Sequence, residues 1–172
     1  MLTMLQLLIP FPPSEAEREQ ELKQIQAQYK RKKAPDDLQE VLDADMSLLF
    51  NLVLLDAGLP DQYEAIDRLA DEIIPEIMRH KEYFNVERPH VLAQRKGVPF
   101  AYDYLHSAQT PSYPSGHTAQ AFYIAYKLAA QYPKLRSKFL EVAQLVADSR
   151  IDRGVHFPSD NRGGKLLASK LA

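Results

Sequence analysis

The sequence predicts an all-α fold, a compact helical bundle, and three observations lead to this class. Apolar residues recur at the three- and four-residue spacing of one helical face along most of the chain. No segment alternates apolar and polar residues with the period of two that marks a half-buried strand. Prolines and glycines interrupt the helical spacing where helices would end. The chain has no internal repeat or low-complexity tract, so we expect a single domain over residues 1–172.

The first half of the chain predicts three helical segments. Ser14 can cap a charged helix that continues to about Arg31. A second helix is predicted from Asp36 to Gly58, because glycine suits a helix stop. Its apolar face consists of Leu38, Val41, Leu42, Leu48, Leu49, Leu52 and Val53. The third helical segment contains Pro75, which predicts a kink or a restart of the helix there. The apolar positions of that segment are Ile66, Leu69, Ala70, Ile73, Ile74 and Ile77.

The second half predicts two longer helices after an irregular segment. Helical spacing returns over residues 118–131, and another face follows later in the chain. The apolar positions of that later face are Phe139, Val142, Ala143 and Val146. The intervening segment, residues 89–113, is long for a connection in a compact domain, and such segments are often functional.

Composition and charge narrow the class of protein. The chain is 45% hydrophobic and 26% charged, which is ordinary for a globular protein. A formal net charge of -2 argues against a general nucleic-acid or membrane-surface binder but permits a local basic pocket. The most apolar stretches, residues 48–57 and 119–130, are shorter than the roughly 20 residues that span a bilayer. The first residues lack two features of a secretory signal peptide, a basic segment before the apolar run and a cleavage site of small residues. We therefore expect a soluble protein, cytoplasmic rather than exported; a homo-oligomer is left open.

Three short blocks gather basic residues, histidines and an aspartate in a fixed order. They are residues 81–89 (KEYFNVERP), 114–117 (PSGH) and 149–160 (SRIDRGVHFPSD). Lys81 and Arg88 are seven residues apart, so on a continuous helix they share one face, about 10.5 Å apart along the axis. Pro89 disfavours helical geometry at Arg88 and predicts that the helix ends there. A lone Lys/Arg pair would indicate a solvated face, and the other two blocks favour a shared site instead.

The second block predicts a helix start that can hold an anion. Ser115 suits the capping position, and Gly116 lets the backbone approach a ligand, so free N–H groups can bind phosphate oxygens. His117 lies at the same end and can donate a proton to a leaving alkoxide. By itself this block would favour a capped helix with an incidental histidine.

The third block supplies a nucleophile. The planar guanidinium of Arg150 can bind two phosphate oxygens at once. Arg150 and His156 would diverge on a straight helix, and Gly154 offers the place for the chain to turn. Pro158 suits the first turn of a new helix, where Asp160 could accept the N–H of His156 and leave the other ring nitrogen free to attack phosphorus. A lone histidine near an aspartate is more often a structural hydrogen bond.

Together the blocks fit the pattern K-x6-R-P, P-S-G-H, S-R-x5-H-x3-D. This pattern resembles the superfamily of type 2 phosphatidic acid phosphatases, bacterial non-specific acid phosphatases and vanadium haloperoxidases, with the soluble acid phosphatases as the nearest group. Chance does not account for three such blocks in the right order. The motif core covers about residues 81–164, close to half the chain. Residues 8–14 (LIPFPPS) and 113–132 look like the proline-rich start and central helix of the acid phosphatases.

The resemblance implies a metal-independent phosphatase that hydrolyses small phosphomonoesters through a phosphohistidine, with its active site at helix ends. It implies that His156 is the nucleophile, Asp160 its partner and His117 the general acid. The residues that it implies for phosphate binding are Lys81, Arg88, Ser115, Gly116 and Arg150. No cofactor or metal is expected, and vanadate is expected to inhibit. The natural phosphate ester is left open.

Several residues near the blocks receive weaker predictions. The other histidines, His80, His90 and His106, lack the spacing of a metal site, and we expect His80 at the surface. Asp152 and Arg153 are expected to face solvent. Asn161 and Arg162 stand where relatives usually have apolar residues, before the small pair Gly163 and Gly164, which leaves the packing and length of the last helix open.

Two other functions share this pattern. In a vanadium-dependent haloperoxidase the same residues would hold vanadate as a cofactor, and the short chain disfavours that function. In a non-catalytic phosphate-binding or assembly protein, His117 and His156 would not be needed together.

Overall fold

The structure, a computed structural model, describes residues 6–31 and 34–172, and over these ranges the chain forms nine α-helices and no strand. The prediction of an all-α fold is thus confirmed. The helices are α1 (Glu15–Tyr29), α2 (Asp36–Ala44), α3 (Met46–Asp56), α4 (Tyr63–Glu72), α5 (Ile74–Phe84), α6 (Pro89–Arg95), α7 (Gly116–Gln131), α8 (Arg136–Asp152) and α9 (Pro158–Leu171). Short 3-10 turns lie at His106–Ala108 and Pro133–Leu135. The prediction about the start rests in part on residues 1–5, which lie outside the described residues.

Helix α7 lies at the centre of the fold. It packs along α8 and α9 and also contacts α3, α4 and α5. Its alanines at positions 119, 121 and 125 and Ile124 have no exposed surface. The small side chains let the neighbouring helices approach closely, while large side chains from α3 and α8, such as Phe50 and Phe139, fill the core. Burial of each such phenylalanine contributes about 1.5–3 kcal/mol.

Several predicted helix ends are confirmed. The hydroxyl of Ser14 accepts a hydrogen bond from the N–H of Glu17 at 3.2 Å, so Ser14 caps α1. Gly58 follows α3 with a φ of 76°, a conformation that suits glycine. Pro75 lies in the first turn of α5, so the helix restarts there.

The single helix predicted from Asp36 to Gly58 is wrong, because the segment forms two helices. The break is at Asp45, whose φ and ψ of -154° and 65° are not helical. Its carboxylate accepts a hydrogen bond from the N–H of Leu48 at 3.4 Å and caps α3. No glycine or proline marks this break in the sequence. Its consequence is that Asp43 lies at the end of a short helix instead of in the middle of a long one.

The last helix is long and closely packed on α7. A β-carbon at Gly163 would lie 2.5 Å from the ring of Tyr113, and one at Gly164 would lie 2.6 Å from the carbonyl oxygen of Ser115. Asn161 fits this contact, because its side-chain oxygen accepts a hydrogen bond from the hydroxyl of Thr118 on α7 at 2.7 Å. Its amide donates to the carbonyl oxygen of Ala147 on α8 at 2.9 Å. Only residues without a side chain fit at the two glycine positions.

Two residues expected at the surface are buried. His80 has no exposed surface; its Nδ1 donates to the carbonyl oxygen of Glu76 at 2.7 Å, and its Nε2 accepts from the N–H of Leu8 at 3.1 Å. Arg153 is 8% exposed, and its Nε donates to Asp103 at 3.0 Å. Both errors arise from long-range contacts that no local pattern reveals. Asp152, which was also expected to face solvent, is half-buried.

No helix within the described ranges is both long and apolar enough to cross a bilayer. Two predictions stay predictions: that the chain is a single domain, and that the protein is soluble and cytoplasmic. Whether it forms a homo-oligomer is left open.

Candidate active site

The structure brings the predicted site residues together in one mostly buried cluster, the active-site pocket, at the ends of five helices. Two of them are at the end of α5 and the start of α6, three are at the start of α7, and three are at the end of α8 and around the start of α9. They are Lys81, Arg88, Ser115, Gly116, His117, Arg150, His156 and Asp160. The main chain of the α7 start is close to α5, because a β-carbon at Gly116 would lie 3.6 Å from Cε of Lys81.

Lys81 and Arg88 do not share one continuous helix, so that prediction is wrong. Helix α5 ends three residues after Lys81, and Asn85 takes a left-handed conformation with a φ of 47°. Asparagine adopts this conformation more easily than most residues. Arg88 is extended and precedes α6, which begins with Pro89. The two cations converge because the chain turns between them.

Both side chains are buried and held by carbonyl oxygens. Lys81 is 3% exposed, and its ammonium group donates to the carbonyl oxygen of Pro111. Arg88 is 6% exposed, and its Nε donates to the carbonyl oxygen of Thr110 at 2.7 Å. Its Nη1 donates to the carbonyl oxygen of Val155 at 3.0 Å. The segment between α6 and α7 therefore forms part of the pocket wall.

Two hydrogen bonds define the tautomer of His156. Its Nε2 lies 3.0 Å from Nη1 of Arg88, and a guanidinium can only donate, so Nε2 accepts and carries no proton. Its Nδ1 lies 2.8 Å from Asp160 Oδ2 and donates to that carboxylate. The basic nitrogen therefore faces the cations of the pocket, as a nucleophile requires.

Asp160 connects the blocks through three further contacts. Its Oδ2 accepts hydrogen bonds from the hydroxyl of Ser112 and from the N–H of Phe157 at 2.9 Å. Its carbonyl oxygen accepts from the N–H of Ser115 at 3.0 Å, which joins the start of α9 to the start of α7. Burial raises the pKa of the Asp160 carboxyl to about 7, although the Ser112 and Phe157 hydrogen bonds oppose this shift.

The second block forms a capped helix start, as predicted. The hydroxyl of Ser115 accepts from the N–H of Thr118 at 3.3 Å and donates to the Thr118 hydroxyl at 3.0 Å. It is therefore engaged in capping α7. His117 Nε2 donates to the carbonyl oxygen of Asp43 at 2.8 Å and lies 3.4 Å from the Asp43 carboxylate.

Arg150 is almost fully buried, with 1% of its surface exposed. Its Nη1 donates to Asp43 Oδ1 at 2.6 Å. Within residues 6–31 and 34–172, its Nε and Nη2 have no hydrogen-bond partner. Asp43 was not predicted as a site residue. It lies outside the three blocks, and the helix break that positions it has no strong sequence signal.

Burial and the neighbouring cations keep both histidines neutral near pH 7. Burial, together with Arg88, holds the pKa of His156 well below its usual value. Burial and Arg150 lower the pKa of His117 to about 3, and Asp43 opposes the shift. Burial and Arg88 also lower the pKa of Lys81 to about 7. Buried like charges repel one another, so an anion in this pocket would be stabilised strongly.

A small cavity of about 180 Å³ opens beside His117. Polar and acidic residues of α2, α3, α4 and α7 line it, including Asp43, Asp67 and Gln120. A larger surface groove of about 870 Å³ lies between α1 and residues 96–101, and none of the eight site residues lines it. The small cavity, unlike the groove, is in contact with a predicted site residue, His117.

Nothing in the part of the chain that the structure describes groups three or more His, Asp or Glu side chains in a way that could hold a metal ion. The arrangement instead offers a basic histidine nitrogen, a second histidine, and three buried cations around one pocket. This set of groups suits transfer of a phosphoryl group.

Comparisons with known proteins identify a family. A family model described as the PAP2 superfamily matches residues 68–171. An acid phosphatase of Zymomonas mobilis subsp. mobilis is 32% identical over 113 residues, which are 66% of this chain and 42% of that relative. The chain thus spans about two fifths of the length of that curated relative. The family match includes all eight site residues and excludes Asp43.

A solved structure also matches the fold. The crystal structure of a transmembrane PAP2 type phosphatidylglycerolphosphate phosphatase from Bacillus subtilis has a TM-score of 0.55 and 24% sequence identity with this chain. The match covers 90% of this chain and 82% of that one. At this identity the likeness shows that the fold is shared.

Proposed function

The chain belongs to the PAP2 superfamily, and on that premise we propose that it is a phosphatase that hydrolyses small phosphomonoesters through a phosphohistidine. The observation that carries the proposal is the state of His156, whose unprotonated Nε2 faces a buried guanidinium while Asp160 holds its Nδ1–H. A histidine held in this way at a cationic pocket can act as a nucleophile toward phosphorus. No step of the proposed reaction requires a metal ion.

Lys81, Arg88 and Arg150 bind the phosphate in this proposal. Nε and Nη2 of Arg150, which have no hydrogen-bond partner among the described residues, form one edge of its guanidinium and match two phosphate oxygens. Backbone N–H groups at the start of α7 contribute further donors. Since the side chains are already buried and oriented, they stabilise the charge of the transition state, and loss of one such donor costs about 2.7–4 kcal/mol.

In the first step, Nε2 of His156 attacks phosphorus while the bond to the leaving oxygen breaks. His117, which takes up a proton from solvent when the phosphate dianion binds, gives that proton to the leaving oxygen. The alcohol therefore leaves neutral, and the phosphoryl group stays on His156. Asp160 stabilises the positive charge that develops on the ring of His156. The cavity beside His117 provides space for the leaving group.

In the second step, water attacks the phosphohistidine. His117, now neutral, takes a proton from the water, and the bond between phosphorus and Nε2 breaks. Inorganic phosphate leaves, and both histidines return to their starting forms.

The proposed function is tested by phosphate release from a panel of phosphomonoesters, diphosphates and lipid phosphates, including p-nitrophenyl phosphate. A His156→Ala protein purified in the same way controls for contaminating phosphatases. We expect hydrolysis of soluble monoesters by the wild-type protein only. The absence of hydrolysis on the whole panel, with phosphate still bound, would favour a non-catalytic binding protein.

The haloperoxidase alternative is tested by loading the protein with vanadate and adding peroxide and bromide. Vanadate would occupy the site proposed for phosphate, beside the same three cations. Bromide peroxidation much faster than ester hydrolysis would replace the phosphatase proposal.

A further inference from the structure

One residue outside the predicted set contacts two blocks of the active site. Asp43 Oδ1 accepts a hydrogen bond from Nη1 of Arg150 at 2.6 Å. The carbonyl oxygen of Asp43 accepts one from Nε2 of His117 at 2.8 Å, and its carboxylate is 3.4 Å from the same nitrogen. Asp43 therefore connects the arginine of the third block with the histidine of the second.

The contact with Arg150 determines which part of the guanidinium is free. Nη1 is bound to Asp43, whereas Nε and Nη2 are buried and have no partner within the described residues. These two nitrogens form the edge that binds two oxygens of a phosphate in parallel. A rotation of the guanidinium would break the ion pair, so Asp43 fixes the orientation of the free edge.

The carboxylate of Asp43 is itself held in place. The hydroxyl of Ser107, in the segment between α6 and α7, donates to its Oδ1 at 2.6 Å. Burial alone would raise the pKa of the Asp43 carboxyl, but the Ser107 hydrogen bond and the charge of Arg150 hold it below its usual value. Asp43 therefore carries a negative charge at neutral pH.

That charge also acts on His117. The charged and titratable groups that face His117 are Arg150 of α8, Lys81 of α5, Asp43 of α2, and His156. Of these, Asp43 favours the protonated form of the imidazole, through its carbonyl oxygen and its charge. Asp67 and Asp71 of α4 line the cavity beside His117 as well. With a phosphate dianion bound, and with Lys81 and Asp160 both ionised, the three cations and protonated His117 carry four positive charges. The dianion, Asp160 and Asp43 then carry four negative charges. Neutrality matters in this pocket because an unbalanced buried charge is costly.

We propose that Asp43 is a positioning residue of the catalytic site, which orients Arg150 toward the phosphate and places a negative charge next to His117 on the leaving-group side. This inference rests on the proposed phosphatase function. It concerns a residue outside the three blocks and outside the family-matched residues 68–171.

The test is Asp43→Asn, which keeps the size and the oxygen acceptor but removes the charge. The matched control is Asp37→Asn, an exposed aspartate on the same helix. We expect the inhibition constant of vanadate to rise about tenfold in Asp43→Asn, because a less firmly oriented Arg150 binds the anion less well. The control should match the wild-type protein.

A second readout separates positioning from a merely structural role. Removal of the negative charge lowers the pKa of His117, so the basic limb of the kcat profile should move to lower pH in Asp43→Asn. The loss should be larger with alkyl phosphates than with aryl phosphates, which need little protonation of the leaving oxygen. An equal loss with both esters and an unshifted limb would overturn the proposal.

A vanadate inhibition constant that falls in Asp43→Asn would also overturn it, since Asp43 would then compete with the phosphate for Arg150. Should Asp43→Asn fail to fold, Ser107→Ala removes one hydrogen bond to the carboxylate and should shift both readouts in the same direction, by a smaller amount.

Direct binding of vanadate, measured by calorimetry, keeps the test separate from the proposed function. Loss of affinity in Asp43→Asn supports the positioning of Arg150 even if no ester is hydrolysed, while unchanged affinity contradicts it.

Discussion

Arg88 Nη1 donates a hydrogen bond to His156 Nε2 across 3.0 Å, so the guanidinium of the first block covers the basic nitrogen of the third. The two residues are 68 positions apart in the sequence. In the proposed reaction, Arg88 donates its hydrogen bond to the phosphate instead of to Nε2, and the lone pair of Nε2 becomes free to attack phosphorus. Substrate binding and activation of the nucleophile are therefore one event.

His156→Ala should abolish turnover, by at least about a thousandfold, because it removes the proposed nucleophile. Phosphate release measures the loss, and acid-labile phosphohistidine should be trapped in the wild-type protein only. Circular dichroism should be unchanged, since other residues form the helices. The control is His106→Ala, an exposed histidine outside the site. Activity of more than a few per cent in His156→Ala would show that another group attacks.

His117→Asn should slow the hydrolysis of poor leaving groups most. An alkoxide needs a proton from His117 as it leaves, whereas an activated aryl oxide does not. The ratio of kcat for p-nitrophenyl phosphate to kcat for an alkyl phosphate should rise by about tenfold or more relative to wild type. A ratio that stays constant would contradict the role of general acid.

Binding of a phosphate dianion should be accompanied by proton uptake. Burial and Arg150 lower the pKa of His117 to about 3, so it is neutral in the protein alone at neutral pH. The dianion stabilises the imidazolium, and it also stabilises the ammonium group of Lys81, whose pKa is about 7 in the protein alone. The complex therefore binds about one to two more protons than the protein. Calorimetric titration with phosphate at about pH 8, in buffers of different ionisation enthalpy, measures the uptake. An observed enthalpy that does not depend on the buffer would disprove this coupling.

Activity should survive chelation by EDTA and be blocked by vanadate. The phosphate is held by side-chain cations and helix-end N–H groups, and no metal has a role in the proposed steps. Vanadate can take the five-coordinate geometry of the transition state with His156 as a ligand, so it should bind more tightly than phosphate. Steady-state inhibition gives both constants. If EDTA inactivates the protein and magnesium or zinc restores its activity, the metal-free mechanism is contradicted.

Gly164→Ala should destabilise the protein by about 1–3 kcal/mol and reduce kcat. The added β-carbon would lie 2.6 Å from the carbonyl oxygen of Ser115, so α9 must move away from α7. That movement strains the hydrogen bond from the Ser115 N–H to the Asp160 carbonyl oxygen. Urea denaturation measures the stability, with Lys170→Ala in the exposed last turn of α9 as the control. Equal stability of the two variants would mean that the helix contact tolerates a methyl group.

The fold class was largely predictable from sequence, because helix formation depends on local patterns. The cap at Ser14, the stop at Gly58 and the restart at Pro75 are all encoded within a few residues. The break at Asp45 was missed because no glycine or proline marks it. The end of α5 was placed too late because the left-handed conformation of Asn85 has only a weak sequence preference.

The sequence alone also identified the eight residues that meet in the pocket, since each lies in a short block whose residue types suit phosphate chemistry. Tertiary structure decided how they are connected: that Arg88 covers Nε2 of His156, and that the Ser115 hydroxyl caps α7. It alone brought Asp43 to Arg150, because the two are 107 positions apart and meet only when α2 packs on α8. Local patterns determine which helices form and which residues stand at their ends, whereas the packing of those helices determines which charges are buried together.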